Sequence, residues 1–244
     1  GPVDGDLTFD VQVAGEGLAA KLTGRGKAPA TDRIQGDALV EVREAHLKPP
    51  RPGPVATGPG QLPFRLSSRV ALAAGALTFD DIDAKLGAST IHGRFRIDDA
   101  SPRRVEGALD ANVADGRSLL AIAIGLPQSV KDGPGWSWSS EPFSPGLFGR
   151  FAGEIAFRLG RVELLPNVNG RDLRGTVRFG GDSIALDSAG ELAGGKLAGT
   201  VTFRNVQDGL DAYVKISLAG ADAAALFSGA ARPPVTGLLS LSLE

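Results

Sequence analysis

A glycine set within an alternating apolar pattern recurs along this chain and limits what the chain can fold into. In each copy, a β-branched, aromatic or leucine residue is followed two positions later by a glycine and then, at two-residue steps, by further apolar residues. The copies start at Ile34, Ile91, Val105, Phe151, Leu173, Leu197 and Val235. Because successive side chains of a strand point to opposite faces, each copy predicts a strand with one apolar and one polar face.

The copy at Leu173 separates the two kinds of residue most cleanly. One parity holds Leu173, Gly175, Val177 and Phe179, and the other holds Asp172, Arg174, Thr176 and Arg178. Strands of this kind build a sheet with a continuous hydrophobic surface. In a chain without a visible catalytic motif, that surface is the leading candidate for function.

The composition favours many short strands over helices. Of 244 residues, 42% are hydrophobic but only 6% aromatic, and there are 34 glycines and 16 prolines. The apolar content is therefore mostly Ala, Leu, Val and Ile, divided by frequent turns. We predict an all-β fold: a long, curved, mostly antiparallel sheet that forms a taco-like hydrophobic groove, with one or two short helices closing an end.

Patterning and turn signals divide the chain into blocks. We predict N-terminal strands of the groove over 1–48, a Gly/Pro-rich loop over 49–63, a second β block over 64–124, a loop over 125–145 and a third β block over 146–244. Short helices are predicted at 115–124 and near 220–229. The predicted strands are 7–13, 18–22, 34–42, 65–72, 76–82, 90–97, 105–113, 151–159, 162–165, 173–179, 184–186, 197–203, 210–218 and 235–243.

The two ends of the sequence suggest a piece of a longer protein. Gly1-Pro2 resembles the scar of a protease cleavage, and the last strand pattern runs up to Glu244 without a turn or cap. We therefore expect the natural protein to continue beyond the C-terminus. No apolar run approaches the roughly 18 residues that a membrane helix requires, and the N-terminus has no signal-peptide pattern.

Charge and residue types argue against several functional classes. Acidic and basic residues number 28 and 26 and are interspersed, giving a net charge of -2, so no basic field favours nucleic acid. Cysteine is absent, which excludes thiolate catalysis and cysteine-ligated metals. His46 and His92 fall in different blocks, which leaves little for a His-based triad or a two-His metal site. We predict a non-enzyme without a cofactor or metal, and a solvated His92.

Three local motifs have a plainer structural explanation. Residues 190–196, GELAGGK, match a phosphate-binding loop as far as the lysine, but Leu197 takes the place of the Ser or Thr and a strand pattern follows. The acidic residues at 80, 81 and 83 and at 98 and 99 lack calcium-loop spacing and are interpreted as turns. Trp136 and Trp138 could stack on a sugar, meet a lipid interface or anchor their loop; anchoring is favoured. Carboxylates paired only in space, as glycoside hydrolysis needs, stay open.

The repeated glycines have two competing interpretations. Glycine weakens a strand, so its recurrence at one position of an apolar face needs a reason. Glycine could let the sheet bend and pack, or it could leave a slot where an acyl chain or a facing sheet approaches the backbone. The pattern alone favours bending and packing.

Several segments, in order, resemble the AsmA-like family of Gram-negative envelope proteins. They are LTFDDIDAKLGASTIHG at 77–93, then Arg-Phe-Arg-Ile and Pro102 before Val105-Glu-Gly107; FAGEIAF at 151–157; the Leu173 strand; ELAGGKLAG at 191–199; and GADAAAL at 220–226. The resemblance covers residues 62–244 and, more weakly, 5–47. It implies a periplasmic β-sheet groove, anchored in the inner membrane through a helix that this chain does not include. It also implies a role in phospholipid movement toward the outer membrane and in outer-membrane protein assembly.

Pattern and resemblance together predict non-covalent lipid handling. The predicted partner is a phospholipid or other acyl lipid, with envelope proteins as further partners and no nucleic acid. The alternative is a structural or chaperone-like interaction module in outer-membrane protein assembly, which would use the apolar face or the sheet edges. The residues predicted to line the lipid path are Phe95, Ile97, Leu109, Phe157, Val177, Phe179, Val201, Phe203 and Ile216.

Overall fold

The structure, a computed structural model, describes residues 6–15, 18–27, 35–47, 62–73, 75–124, 146–165, 168–207, 209–226 and 236–243. The predicted fold class is confirmed, because the described chain is all-β with two short helices. The strands follow one another in the sheet in the order of the sequence. Contacts divide the chain into two compact units, residues 1–111 and residues 112–244.

The elements of the first unit are seven antiparallel strands, the last of which runs on into the second unit. They are β1 (Asp6–Gly15), β2 (Leu18–Lys27), β3 (Gln35–Leu47), β4 (Leu62–Ala73), β5 (Ala76–Leu86), β6 (Ser89–Asp98) and β7 (Arg103–Asp115). Each strand from β1 to β6 pairs with the next one along the chain. Because β3 pairs with β4, the Gly/Pro-rich stretch predicted as a loop connects two neighbouring strands of one unit.

The second unit begins with the end of β7 and contains both helices. Its elements are α1 (Gly116–Ile124), β8 (Phe151–Leu165), β9 (Val168–Gly180), β10 (Ser183–Leu192), β11 (Gly195–Val206), β12 (Gly209–Asp222), α2 (Ala223–Leu226) and β13 (Leu238–Leu243). The strands from β8 to β13 again pair in sequence order and antiparallel. Both helices lie within the predicted ranges, and Asp222 caps α2 by accepting a hydrogen bond from the backbone N–H of Ala224 at 2.9 Å.

The phosphate-loop lookalike at 190–196 is a hairpin, as its rejection predicted. Leu192 pairs with Gly195, so Ala193 and Gly194 form a two-residue turn between β10 and β11. Both turn residues have positive φ, 50° and 77°, as the tight turns of right-twisted hairpins require. The backbone on both sides of the turn is therefore paired between β10 and β11 and does not form a phosphate-binding loop.

Two local predictions are wrong. The stretches 151–159 and 162–165, predicted as separate strands, form the single strand β8, because its register with β9 runs from Leu159 opposite Leu173 to Arg161 opposite Arg171. Asp80, Asp81 and Asp83, interpreted as turn residues, lie inside β5, which has a bulge between Phe79 and Ile82 where Asp81 has a φ of 50°. A bulge satisfies the same need for a local bend without ending the strand.

Few of the described side chains in either unit are fully buried. The buried hydrophobic residues are spread along the chain, from Ala45 in β3 to Ala223 in α2. One buried cluster joins different elements of the second unit and contains Ile124, Phe148 and Ile184. Many other described apolar residues are half-buried, and some, such as Val11 and Leu39, are exposed.

Candidate functional site

The apolar face of the second unit is built from rows of side chains that lie directly opposite one another on successive strands. The central row runs across five strands as Ile155, Val177, Leu186, Val201 and Val214. On one side of it lie Gly153, Phe179, Ile184, Phe203 and Ala212, and on the other Phe157, Gly175, Ser188, Gly199 and Ile216. Ser188 is the one polar residue in the three rows, so this face is an almost unbroken apolar surface.

The first unit has an apolar face of the same construction. One row runs across all seven strands as Phe9, Gly24, Ala38, Val70, Phe79, Phe95 and Gly107. The adjoining row holds Leu7, Gly26, Gly36, Leu72, Leu77, Ile97 and Val105. The alternation predicted from sequence therefore places apolar residues on one face in each unit.

Other atoms of the protein occupy the space beside the repeated glycines. A Cβ added at Gly175 would lie 1.9 Å from the carbonyl oxygen of Asp187 and 2.8 Å from Cζ of Phe157. A Cβ at Gly107 would lie 2.8 Å from the carbonyl oxygen of Arg94, on the neighbouring strand. Both contacts occur on the apolar face, so the glycines let the next strand tilt toward that face and bend the sheet. This geometry supports the bending and packing interpretation of the glycines.

Aromatic rings occupy the space that these glycines leave. Phe157 is the register partner of Gly175, Phe95 of Gly107 and Phe9 of Gly24. In all three pairs a ring atom lies within 3.1 Å of the position that a glycine Cβ would take. A phenylalanine laid over a cross-strand glycine covers exposed backbone and holds the ring flat against the sheet. The apolar face therefore presents ring faces and small residues at these points.

Part of the apolar face of the second unit is covered by α1 and the turn that precedes β8. Ile124 and Phe148 are 4% and 7% exposed and form the buried cluster with Ile184 of β10. The backbone joins these pieces, since Leu147 N–H donates to the carbonyl oxygen of Ala123 and Gly149 N–H to that of Gly181. The half-buried side chains packed against the cluster include Val177, Phe179 and Phe203. At these three positions the predicted lipid path is occupied by the protein's own side chains.

The remaining predicted lining residues lie on the apolar faces outside that cluster. Phe157, Val201 and Ile216 belong to the second unit, and Phe95, Ile97 and Leu109 to the first. All nine predicted residues are half-buried, neither fully exposed nor sealed in a core. In the second unit we call the part of the apolar face that carries Phe157 and Ile216 the open part, because no described residue of the buried cluster packs on it. Beyond this part, Leu173 and Leu218 are buried.

The opposite face of the sheet is polar in both units. Charged residues pair across strands, as in Lys21 with Asp10 at 3.2 Å and Arg178 with Asp187, whose other oxygen accepts a hydrogen bond from Thr200 at 2.7 Å. Exposed pairs of this kind contribute little stability, about 0–1 kcal/mol each. These charged residues keep the polar face solvated. The apolar face is therefore the surface suited to binding an apolar ligand.

A depression of about 1010 Å³ lies in the first unit and is lined by residues of β1 to β5. Its lining includes four members of the apolar row, Phe9, Gly24, Ala38 and Val70. The charged lining residues are Asp10, Arg25, Asp37, Arg69, Asp80 and Asp81, of which Arg69 and Asp81 pair at 3.3 Å. The depression therefore includes part of the apolar row of the first unit.

The other residues singled out by sequence have ordinary environments or lie outside the described part. His92 is exposed on the polar face, as predicted, with Nδ1 3.7 Å from an Asp83 oxygen. His46 belongs to β3 opposite Pro63, and Trp136 and Trp138 lie outside the described residues. Among the described residues no group of three or more His, Asp or Glu is placed to hold a metal ion. No helix in the same residues is long and apolar enough to cross a membrane.

Sequence reasoning missed the residues that close part of the apolar face. Ile124 was included in a predicted helix, but Phe148 and Ile184 had no assigned role. The signal that could have revealed them is a short apolar helix followed by Leu147-Phe148 directly before a strand whose own apolar face needs cover. Comparison of the chain with protein-family models, with curated proteins and with solved structures gives no match.

Proposed function

We propose that this chain is a non-enzymatic lipid-handling protein whose apolar sheet face binds acyl chains. In this proposal it is the periplasmic β-groove of an AsmA-like protein, anchored in the inner membrane through a segment outside this chain. Its role is phospholipid transport between the inner and outer membranes and maintenance of the outer membrane. The observation that carries the proposal is an apolar face built across paired strands whose residues stay half-buried, whereas the opposite face carries the charged residues.

Burial of hydrocarbon on such a face is favourable in proportion to the area removed from water. Each methylene group that leaves water contributes about 0.8 kcal/mol. Small residues in the rows, such as Gly199 beside Ile216, leave shallow grooves between the larger side chains. A flexible alkyl chain can follow such a surface, whereas the polar head stays in water at the rim. Neither a metal nor a catalytic group is needed for this function.

A charge placed on the open part of the apolar face tests the proposal. Ile216 is half-buried outside the buried cluster, so Ile216→Asp puts a carboxylate where acyl chains would lie while leaving it a route to water. We expect a folded variant that co-purifies with at least about tenfold less lipid, measured by native mass spectrometry after mild extraction. The matched control is Ser217→Asp, one residue away on the polar face, which should retain the lipid. Equal lipid in both folded variants would contradict acyl binding on this face.

A second candidate function is supported by the last strand. β13 carries no charge between Leu238 and Leu243, and Leu241 and Leu243 are 51% and 52% exposed. Large exposed hydrophobic side chains on an uncharged strand can pack against another polypeptide. This favours the structural or chaperone-like interaction module as the alternative, in which a partner polypeptide is held against these side chains. Under this alternative, Ile216→Asp leaves the amount of bound lipid unchanged.

A further inference from the structure

Four arginines of the second unit lie in two adjoining cross-strand pairs. The register of β8 and β9 places Arg158 opposite Arg174 and Arg161 opposite Arg171. Residues directly opposite each other on antiparallel strands have Cβ atoms about 4.5–5.5 Å apart. We call these four residues the arginine cluster. All four are exposed.

A local irregularity brings the second pair to the polar face. Strict alternation would send Arg161 to the same face as Leu159, yet Arg161 is exposed and the next residue, Val162, is 2% exposed. On β9 the same shift occurs at Asp172, which has a φ of 49°. The pairing of β8 with β9 is the same on both sides of Gly160, but the alternation of side chains between the two faces changes at this point on both strands. The four arginine side chains therefore lie on one face of the sheet.

The arginines of the cluster form no ion pair within the described part of the chain. Some exposed arginines elsewhere pair with acids, as Arg96 does with Asp98 at 2.8 Å and Arg104 with Glu106 at 3.0 Å. Others, such as Arg65 and Arg94, form no ion pair with a described residue and are not part of an arginine cluster. None of the four cluster arginines makes an ion pair or side-chain hydrogen bond with another described residue. Like charges directly opposite on a sheet are destabilising. An anion from outside the chain would relieve this repulsion.

The neighbouring acids do not neutralise the cluster. Asp172 lies between the two pairs along β9, and Glu191 of β10 is the register partner of Arg171. Neither forms an ion pair within the described residues. Glu163 lies two residues from Arg161 on β8, and Lys196 of β11 is the register partner of Glu191. Five cations against three carboxylates leave a local excess of two positive charges on paired strands.

We propose that the arginine cluster binds a phosphate-type oxyanion carrying two or more negative charges. Guanidinium groups hold phosphate oxygens through paired N–H donors, and their planar geometry makes arginine the preferred residue for this contact. The cluster lies on the face opposite to the acyl rows, so it is distinct from the proposed lipid path and does not rest on it. The phosphate can belong to a soluble compound or to headgroups at a membrane surface, since the contacting chemistry is the same.

Binding by the full chain tests this site with two probes. Inorganic pyrophosphate is titrated by calorimetry, and vesicles of phosphatidylcholine with or without phosphatidic acid are tested by flotation. The double variants Arg158→Gln/Arg174→Gln and Arg161→Gln/Arg171→Gln should each weaken binding at least about tenfold. The matched control Arg65→Gln/Arg94→Gln removes the same charge from exposed positions of the first unit and should change affinity less than about twofold.

Stability gives a second readout that does not depend on knowing the natural ligand. Without anion, the cluster variants should melt at the same or a higher temperature, because they lose like-charge repulsion. Pyrophosphate should raise the melting temperature of the unmodified chain and of the control but not of the cluster variants. Pyrophosphate binding alone assigns a soluble ligand, and vesicle binding alone assigns a membrane surface. Absence of saturable binding to both probes, or equal loss in the control, would overturn the proposal.

Discussion

At the scale of single residues, the recurring glycine is a structural device for the sheet. Gly24, Gly107 and Gly175 each lie opposite a phenylalanine whose ring covers the glycine backbone. The missing side chain lets the neighbouring strand approach, and the ring regains the buried apolar area that glycine cannot supply. A glycine that would weaken an isolated strand therefore stabilises a bent strand when a phenylalanine lies opposite it.

Gly175→Ala should be strongly destabilising for this reason. Its Cβ would lie 1.9 Å from a backbone oxygen, which cannot move without disturbing the β9/β10 ladder. We expect a loss of about 3 kcal/mol in the free energy of unfolding, measured by urea denaturation followed by circular dichroism. The matched control is Gly15→Ala, where a Cβ meets nothing within 4 Å, and its effect should stay within about 0.5 kcal/mol. Equal stability of the two variants would show that the close approach is not a constraint.

At the scale of elements, α1 determines which part of the second apolar face is open. The helix is nine residues long, too short to be stable alone, and it is held by packing of Ile124 against Phe148 and Ile184. Leu119 and Leu120 on the same helix are 53% and 38% exposed. Ile124 therefore covers the sheet whereas Leu119 and Leu120 do not, and Phe179 and Phe203 lie in the covered part.

Ile124→Ala should weaken this cover. Truncating a buried isoleucine costs about 2–5 kcal/mol, because the apolar contacts are lost and a cavity stays behind. We expect a loss of about 3 kcal/mol in the second unit and increased binding of a fluorescent hydrophobic dye. Leu119→Ala, on the exposed side of α1, is the control and should change stability by less than about 0.5 kcal/mol. Similar losses in both variants would argue against selective packing of Ile124.

Most strands, their apolar faces and both short helices could be predicted from the sequence, and the exceptions have physical causes. Alternation of period two locates the strands and their faces, because it depends only on neighbouring residues. It fails where the parity changes without ending the strand, as around Gly160 in β8, where the register is kept, and at the bulge around Asp81 in β5. The packing of Phe148 on Ile184 joins residues far apart in sequence, and no local pattern encodes that contact. The covered part of the face was therefore missed.

At the scale of the whole molecule, each unit repeats one design: an antiparallel meander with one apolar and one polar face. The polar face carries ion pairs such as Arg69 with Asp81, and the arginine cluster brings four unpaired arginines together on that face. The apolar face is closed by α1 in one part of the second unit and half-buried elsewhere. The central claim is that acyl chains lie on this face and not on the other.

Site-specific photo-crosslinking along β12 tests that claim most directly. A photoreactive amino acid is placed in turn at Val214 and Ile216 on the apolar face, and at Tyr213 and Ser217 on the polar face. The full chain is then irradiated with vesicles of phosphatidylethanolamine and phosphatidylglycerol. We predict lipid adducts by mass spectrometry at the two apolar positions and none at the two polar ones, an alternation of period two. Equal labelling of both faces, or no lipid adduct at Val214 and Ile216, would contradict the account.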